Sequence, residues 1–123
     1  MEVFERDRKI NFVDENDVFV GFDNEQDCCE DFGWAFLDEL PKTCYEAMNQ
    51  NSIKFDTKDW VFDTAFFKLF NDDECDEETA VVAFKITKGK EHKYLILYNS
   101  HNGYYGHGFE MQLSGENIQN GCL

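Results

Sequence analysis

The chain is poor in the residues that usually punctuate or decorate a larger assembly. It has a single proline, Pro41, and no Gly/Ser-rich, repeated or low-complexity tract in 123 residues, which leaves no place for a linker and predicts one domain over residues 1–123. No apolar run approaches the roughly 20 residues that a membrane-spanning helix requires. The opening MEVFERDRKI is too charged to follow the order of a signal peptide. C-x-x-C pairs, H-x-x-x-H spacing, a P-loop, G-x-G-x-x-G and G-x-S-x-G are all absent, which removes the common zinc, nucleotide and hydrolase signatures.

Positive charge is the scarcest commodity. Eleven Lys and Arg face 26 Asp and Glu, for a formal charge of −15, and the only arginines are Arg6 and Arg8. Such a surface repels phosphate, so neither nucleic acid nor an anionic membrane is expected as a direct partner. A basic protein is the natural counterpart. With five cysteines, an odd number, and no leader, a reduced protein of the host cytoplasm is expected.

What the chain does have is apolar mass. The hydrophobic fraction is 42% and there are thirteen phenylalanines, enough to bury a core without disulfides or metal. The dominant period is two. Ile10 and Phe12, then Val18, Val20 and Phe22, alternate with polar positions on either side of the turn-rich DEND. TAVVAFKIT turns Ala80, Val82, Phe84 and Ile86 one way and Lys85 and Thr87 the other, and YLILY and FEMQL continue the pattern. WVFDTAFFKLF, apolar on both faces, reads as a strand covered on both sides, with Trp60, Phe62, Phe66 and Phe70 sharing one face. Gly89 and the pair Asn102-Gly103 are hairpin turn signals. LPKTCYEAMNQNS is the most helical stretch, whereas DCCEDFGWAFLDEL is ambiguous between strand and helix. The expected fold is therefore α+β, a single antiparallel sheet of five or six strands with one or two short helices.

The negative charge is uneven. Ile10 to Pro41 holds ten carboxylates and no Lys or Arg, and Asp72 to Glu78 packs six around Cys75, while Lys85, Lys88, Lys90 and Lys93 sit elsewhere. Alternate side chains on one face of a strand recur about every 6.5 to 7 Å, near the phosphate repeat of a nucleic acid strand. Rows of carboxylates at that spacing fit a protein channel built for DNA or RNA. The residues expected to meet a partner are Asp14, Glu15, Asp17, Asp23, Glu25, Asp72, Asp73, Glu74, Asp76, Glu77 and Glu78. Tyr104 and Tyr105, in a glycine-rich turn, join them as aromatic anchors. The plainer account of the acid is solubility, although −15 exceeds the magnitude of about 2 to 8 that a small domain needs for it.

Cys28 and Cys29 are adjacent, too close in sequence for an ordinary mutual disulfide. With His107 they compose the alternative reading, a small cysteine- or metal-dependent enzyme. The neighbours Asp27, Glu30 and Asp31 oppose it, since negative charge disfavours a thiolate. The Asp72–Glu78 run lacks the glycine of a calcium loop. Neither a catalytic residue, a metal nor a cofactor is assigned, and DCCE is expected to be a packed strand corner.

The elements Asp27-Cys28-Cys29-Glu30 and Asn102-Gly103-Tyr104-Tyr105, with the aromatic strand between them, resemble a family of uncharacterised small proteins of bacteria and their phages, across about Ile10 to Leu113. The flanks His101 and Gly106 depart from the family's serines. The resemblance implies a phage or mobile-element setting and no activity. Size, charge and setting are similar to those of anti-CRISPR inhibitors, so the expected function is inhibition of a nucleic-acid-processing defence effector, Cas9-like in the first instance, by blocking guide RNA or DNA. An interaction module without nucleic-acid mimicry, served by Tyr104 and Tyr105, is the remaining reading. A monomer or small homo-oligomer suits any of the three.

Overall fold

A computed structural model describes residues 1–26, 30–70, 79–100 and 106–123. Among them are nine strands and one helix: β1 (Glu2–Arg6), β2 (Lys9–Val13), β3 (Val18–Asp23), β4 (Asp31–Leu37), α1 (Cys44–Met48), β5 (Val61–Leu69), β6 (Thr79–Lys88), β7 (Glu91–Ser100), β8 (Gly108–Leu113) and β9 (Glu116–Cys122). The strands form two antiparallel sheets, ordered β1-β2-β3-β8-β9 and β4-β7-β6-β5. This corrects the expectation of a single sheet with helices: the fold is nearly all β, and its core lies between two sheets.

The reason is the amount of apolar surface to be covered. Ile10, Phe12, Val20 and Phe22 from the first sheet meet Phe36, Phe62, Val82, Phe84, Ile86, Leu95 and Leu97 from the second in one buried cluster. The second sheet's central strands are apolar on their other face too, where Val81, Ala83 and Ile96 pack under Cys44 and Ala47 of α1 and under Phe70. A sheet buried on both faces needs a layer on each. The five-stranded sheet supplies one; α1, begun by the N-cap of Thr43 Oγ1 on Glu46 N, supplies part of the other.

The alternation expected for β6 holds, with Val82, Phe84 and Ile86 in the main core and Ala80 packed against it. In β5 it does not hold throughout. A break in register between Phe62 and Phe67 brings both of these to the main core, although they are an odd number of residues apart, and leaves Phe66 and Phe70 on the α1 side. Five steps along β5 are matched by two along β6, so β5 gains three residues at the break, and an odd insertion reverses the faces of everything after it.

Three hairpins have two-residue loops. Gly89, at φ 61°, opens the β6–β7 loop, and Ser114 and Gly115 both take positive φ between β8 and β9. Asp7 and Arg8 do the same between β1 and β2, without a glycine. Cys44 is disulfide-bonded, which departs from the expectation of reduced cysteines. No helix among the described residues is long and apolar enough to cross a membrane.

Candidate interaction surface

The expected contact residues fall into three groups. Asp14 is not a surface charge. It is 6% exposed; its Oδ1 accepts from the backbone N–H of Asn16 at 2.9 Å and of Val18 at 3.0 Å, and its Oδ2 accepts from Phe62 N–H at 2.8 Å. Such a carboxylate ties the β2–β3 loop to the start of β5 and has both oxygens occupied. The sequence reading expected Asp14 at a partner-facing surface; the fold buries it among three backbone donors.

Glu15 and Asp17 project from the same loop and are exposed; Asp17 adopts φ 62°. Asp23 is half-buried at the end of β3 and accepts from Glu25 N–H at 3.0 Å. Glu25 is exposed and lies 3.4 Å from Arg8, a contact of little energetic weight in water. Asp72, Asp73, Glu74, Asp76, Glu77, Glu78, Tyr104 and Tyr105 lie outside the described residues, as do Cys28, Cys29 and the turn Asn102-Gly103.

His107, the general base of the enzyme reading, is fully buried. Its Nε2 lies 3.2 Å from Glu30 Oε1 and its Nδ1 2.8 Å from the backbone oxygen of Asp23. A carbonyl only accepts, so Nδ1 carries a proton and donates it there, while Nε2 faces the carboxyl group of Glu30. The ring stacks on Phe32 at 3.9 Å between centroids, and the backbone of His107 exchanges two hydrogen bonds with Leu123, both 2.9 Å. Both ring nitrogens are therefore committed to holding β3, β4 and β8 together. The arrangement is a buried polar latch.

A concavity among the described residues lies where sequence reading placed nothing. A cleft of about 820 Å³ opens between β1, the edge of the five-stranded sheet, and the segment 52–57, with Phe4, Trp34, Phe36 and Phe55 among its walls. The segment is anchored at both sides. Ile53 N–H donates to Phe36 O at 2.9 Å and Ser52 Oγ accepts from Phe36 N–H at 3.0 Å, while Thr57 exchanges hydrogen bonds with Met1, both at 2.7 Å. Trp34 and Phe36 pack edge-to-face on each other and on Phe12, which makes this wall continuous with the core.

A second depression, of about 500 Å³, shares Met1, Glu2 and Thr57 with the cleft and is lined also by Asp14, Glu15, Asp56, Lys58 and Asp59. Glu2, Glu15, Asp56 and Asp59 are all exposed. They come from three separate stretches of chain, and only Glu15 stands within the acid-rich segment that drew attention in the sequence. The Lys-containing context of Asp56 and Asp59 (KFDTKDW) hid them: their acidity emerges only when the fold sets them beside Glu2 and Glu15.

The model of a family described as "Domain of unknown function (DUF7448)" matches residues 1–111, from β1 into β8. No curated protein and no solved structure matches the chain.

Proposed function

The chain belongs to the DUF7448 family, matched over residues 1–111, and we propose that this member is a non-enzymatic binding protein whose acidic surface occupies the basic, nucleic-acid-accepting channel of a defence effector. The observation that carries the reading is the convergence of Glu2, Glu15, Asp56 and Asp59 around one depression on a chain of net charge −15. Four carboxylates gathered there from distant parts of the sequence create a local field that sequence composition alone does not require. The carboxylates outnumber the Lys58 and Met1 ammonium groups of the same lining, and a concave surface of predominantly one sign focuses the field and accelerates encounter with an oppositely charged partner. The supporting observation is negative for the competing class: His107 is sealed and engaged at both nitrogens, so it is not positioned to activate a thiol for an outside substrate.

A Cas9-type effector, whose positively charged channel holds a guide–target heteroduplex, is the first partner to test. Glu15, Asp17 and Glu25 are exposed, so Glu15→Lys, Asp17→Lys and Glu25→Lys combined alter charge without opening the core. In a binding assay against the purified effector, the triple variant is expected to lose roughly 100-fold in affinity, mainly through slower association. Wild-type binding is expected to weaken with added salt and with preloaded guide RNA. Affinity that is unchanged by the triple reversal and flat with salt would falsify the reading.

A further inference from the structure

The apolar cleft carries the reading further, to the chemistry of what it holds. We propose that the groove running along β1, from the aromatic cleft to the acidic depression, binds an extended segment of a partner protein in which apolar and Lys or Arg side chains alternate. The inference rests on the acidic-partner reading above and specifies its contact.

Three observations converge. Among the described residues β1 pairs with β2 on one side only, so its outer edge offers backbone N–H and C=O groups in the arrangement to which an added strand pairs. Beside that edge, Val3, whose strand partner Phe12 is in the core, packs on the same side as Trp34, Phe36 and Phe55, and these three rings line the cleft, an aromatic wall of a size that buries several apolar side chains. At the Met1–Glu2 end the groove meets Glu2, Glu15, Asp56 and Asp59, opposed in the lining by Lys58 and the Met1 amine there and by Lys54 in the cleft.

An extended chain places successive side chains on opposite faces. Along this groove one set of side chains enters the aromatic cleft while the intervening set remains outside, where cations meet the carboxylates. Phosphate is repelled by the same carboxylates, so nucleic acid is not the occupant. A second copy of the chain would bring its own charge of −15 and is disfavoured on the same ground.

The test uses the full-length protein and three labelled peptides of about ten residues, long enough for one added strand: alternating Lys and Leu, alternating Lys and Ser, and alternating Glu and Leu. Binding is read by fluorescence anisotropy. The emission of Trp34 is read in a Trp60→Phe background, since the chain has two tryptophans. The Lys/Leu peptide is expected to bind and to shift Trp34 emission. Phe55→Ala, a truncation at a half-buried position of the cleft wall, is expected to weaken that peptide about tenfold while leaving the weaker Lys/Ser peptide unaffected. Glu2→Lys with Glu15→Lys is expected to weaken both. If Lys/Leu binds but neither Trp34 emission nor Phe55→Ala responds, the groove is not the site, and the acidic-surface reading stands without it. If neither cationic peptide binds, or the Glu/Leu peptide binds as well as Lys/Leu, the acidic reading falls and the groove inference with it.

Discussion

Two side chains show how a residue's surroundings decide its work. Asp14 is acidic, lies in a turn and looks from the sequence like a solvent-facing charge; in the fold its two oxygens receive three backbone N–H groups. Asp14→Ala removes all three acceptor contacts and is expected to destabilise the protein by about 3 kcal/mol, measured as a fall in the urea midpoint at unchanged slope. Any loss of partner binding in that variant is a consequence of unfolding, to be corrected before Asp14 is credited with contact. Tyr98 provides the pH-dependent case. Burial, reinforced by the negative charge of Asp31, raises its phenolic pKa above the usual 10.0. The fold therefore holds the proton more tightly than the unfolded chain does. The associated stability is intact below pH 10, and is lost as the pH climbs through the raised value. Thermal melts above pH 10 are expected to fall more steeply for wild type than for Tyr98→Phe, with the two curves parallel at neutral pH.

At the scale of elements, the β1–β2 hairpin is the informative one. Its two loop residues, Asp7 and Arg8, both take positive φ, a conformation that costs an L-residue roughly 1 kcal/mol and that glycine adopts freely. Arg8→Gly yields the Asp-Gly pair favoured in such turns and is expected to stabilise the protein by about 0.5 kcal/mol, after loss of the weak Glu25 contact and the greater freedom of glycine in the unfolded chain. A rise of a few degrees or less in Tm, against a fall for Gly89→Ala at the β6–β7 turn, is the measurable pattern. This hairpin also marks where sequence reading ran out. Alternation located the strands around Ile10, Val18, Val82, YLILY and FEMQL, helix signals located α1, and Gly89 marked its turn. EVFER carried no alternating apolar face and no turn glycine after it, so β1 was not legible, and with it the groove was lost. The bulge in β5 was hidden for another reason: nothing in FDTAFF distinguishes a continuous strand from one that gains three residues against its neighbour, and only pairing with β6 reveals the change.

For the molecule as a whole, composition spoke clearly about charge and poorly about layers. A value of −15 is readable at once, whereas the division of the nine described strands into two sheets depends on partners far apart in sequence, which local period cannot convey. Self-repulsion at that charge destabilises the compact state, so Tm is expected to rise as NaCl increases from about 10 mM to about 200 mM, over which the screening length falls severalfold. A Tm that is flat or falling over that range would mean that favourable ion pairs outweigh the repulsion. The same topology also bears on time. All four strands of the second sheet lie between β3 and β8 in sequence, and every neighbour in that sheet is supplied from residues 31–100. The first sheet is completed only when Val18–Phe22 finds Phe109–Leu113, a junction that spans nearly the whole chain and must wait for its loop to close. A growing polypeptide leaving the ribosome thus has the partners for the four-stranded sheet well before those for the five-stranded one, and until β8 arrives β3 has an open side on which another chain can pair.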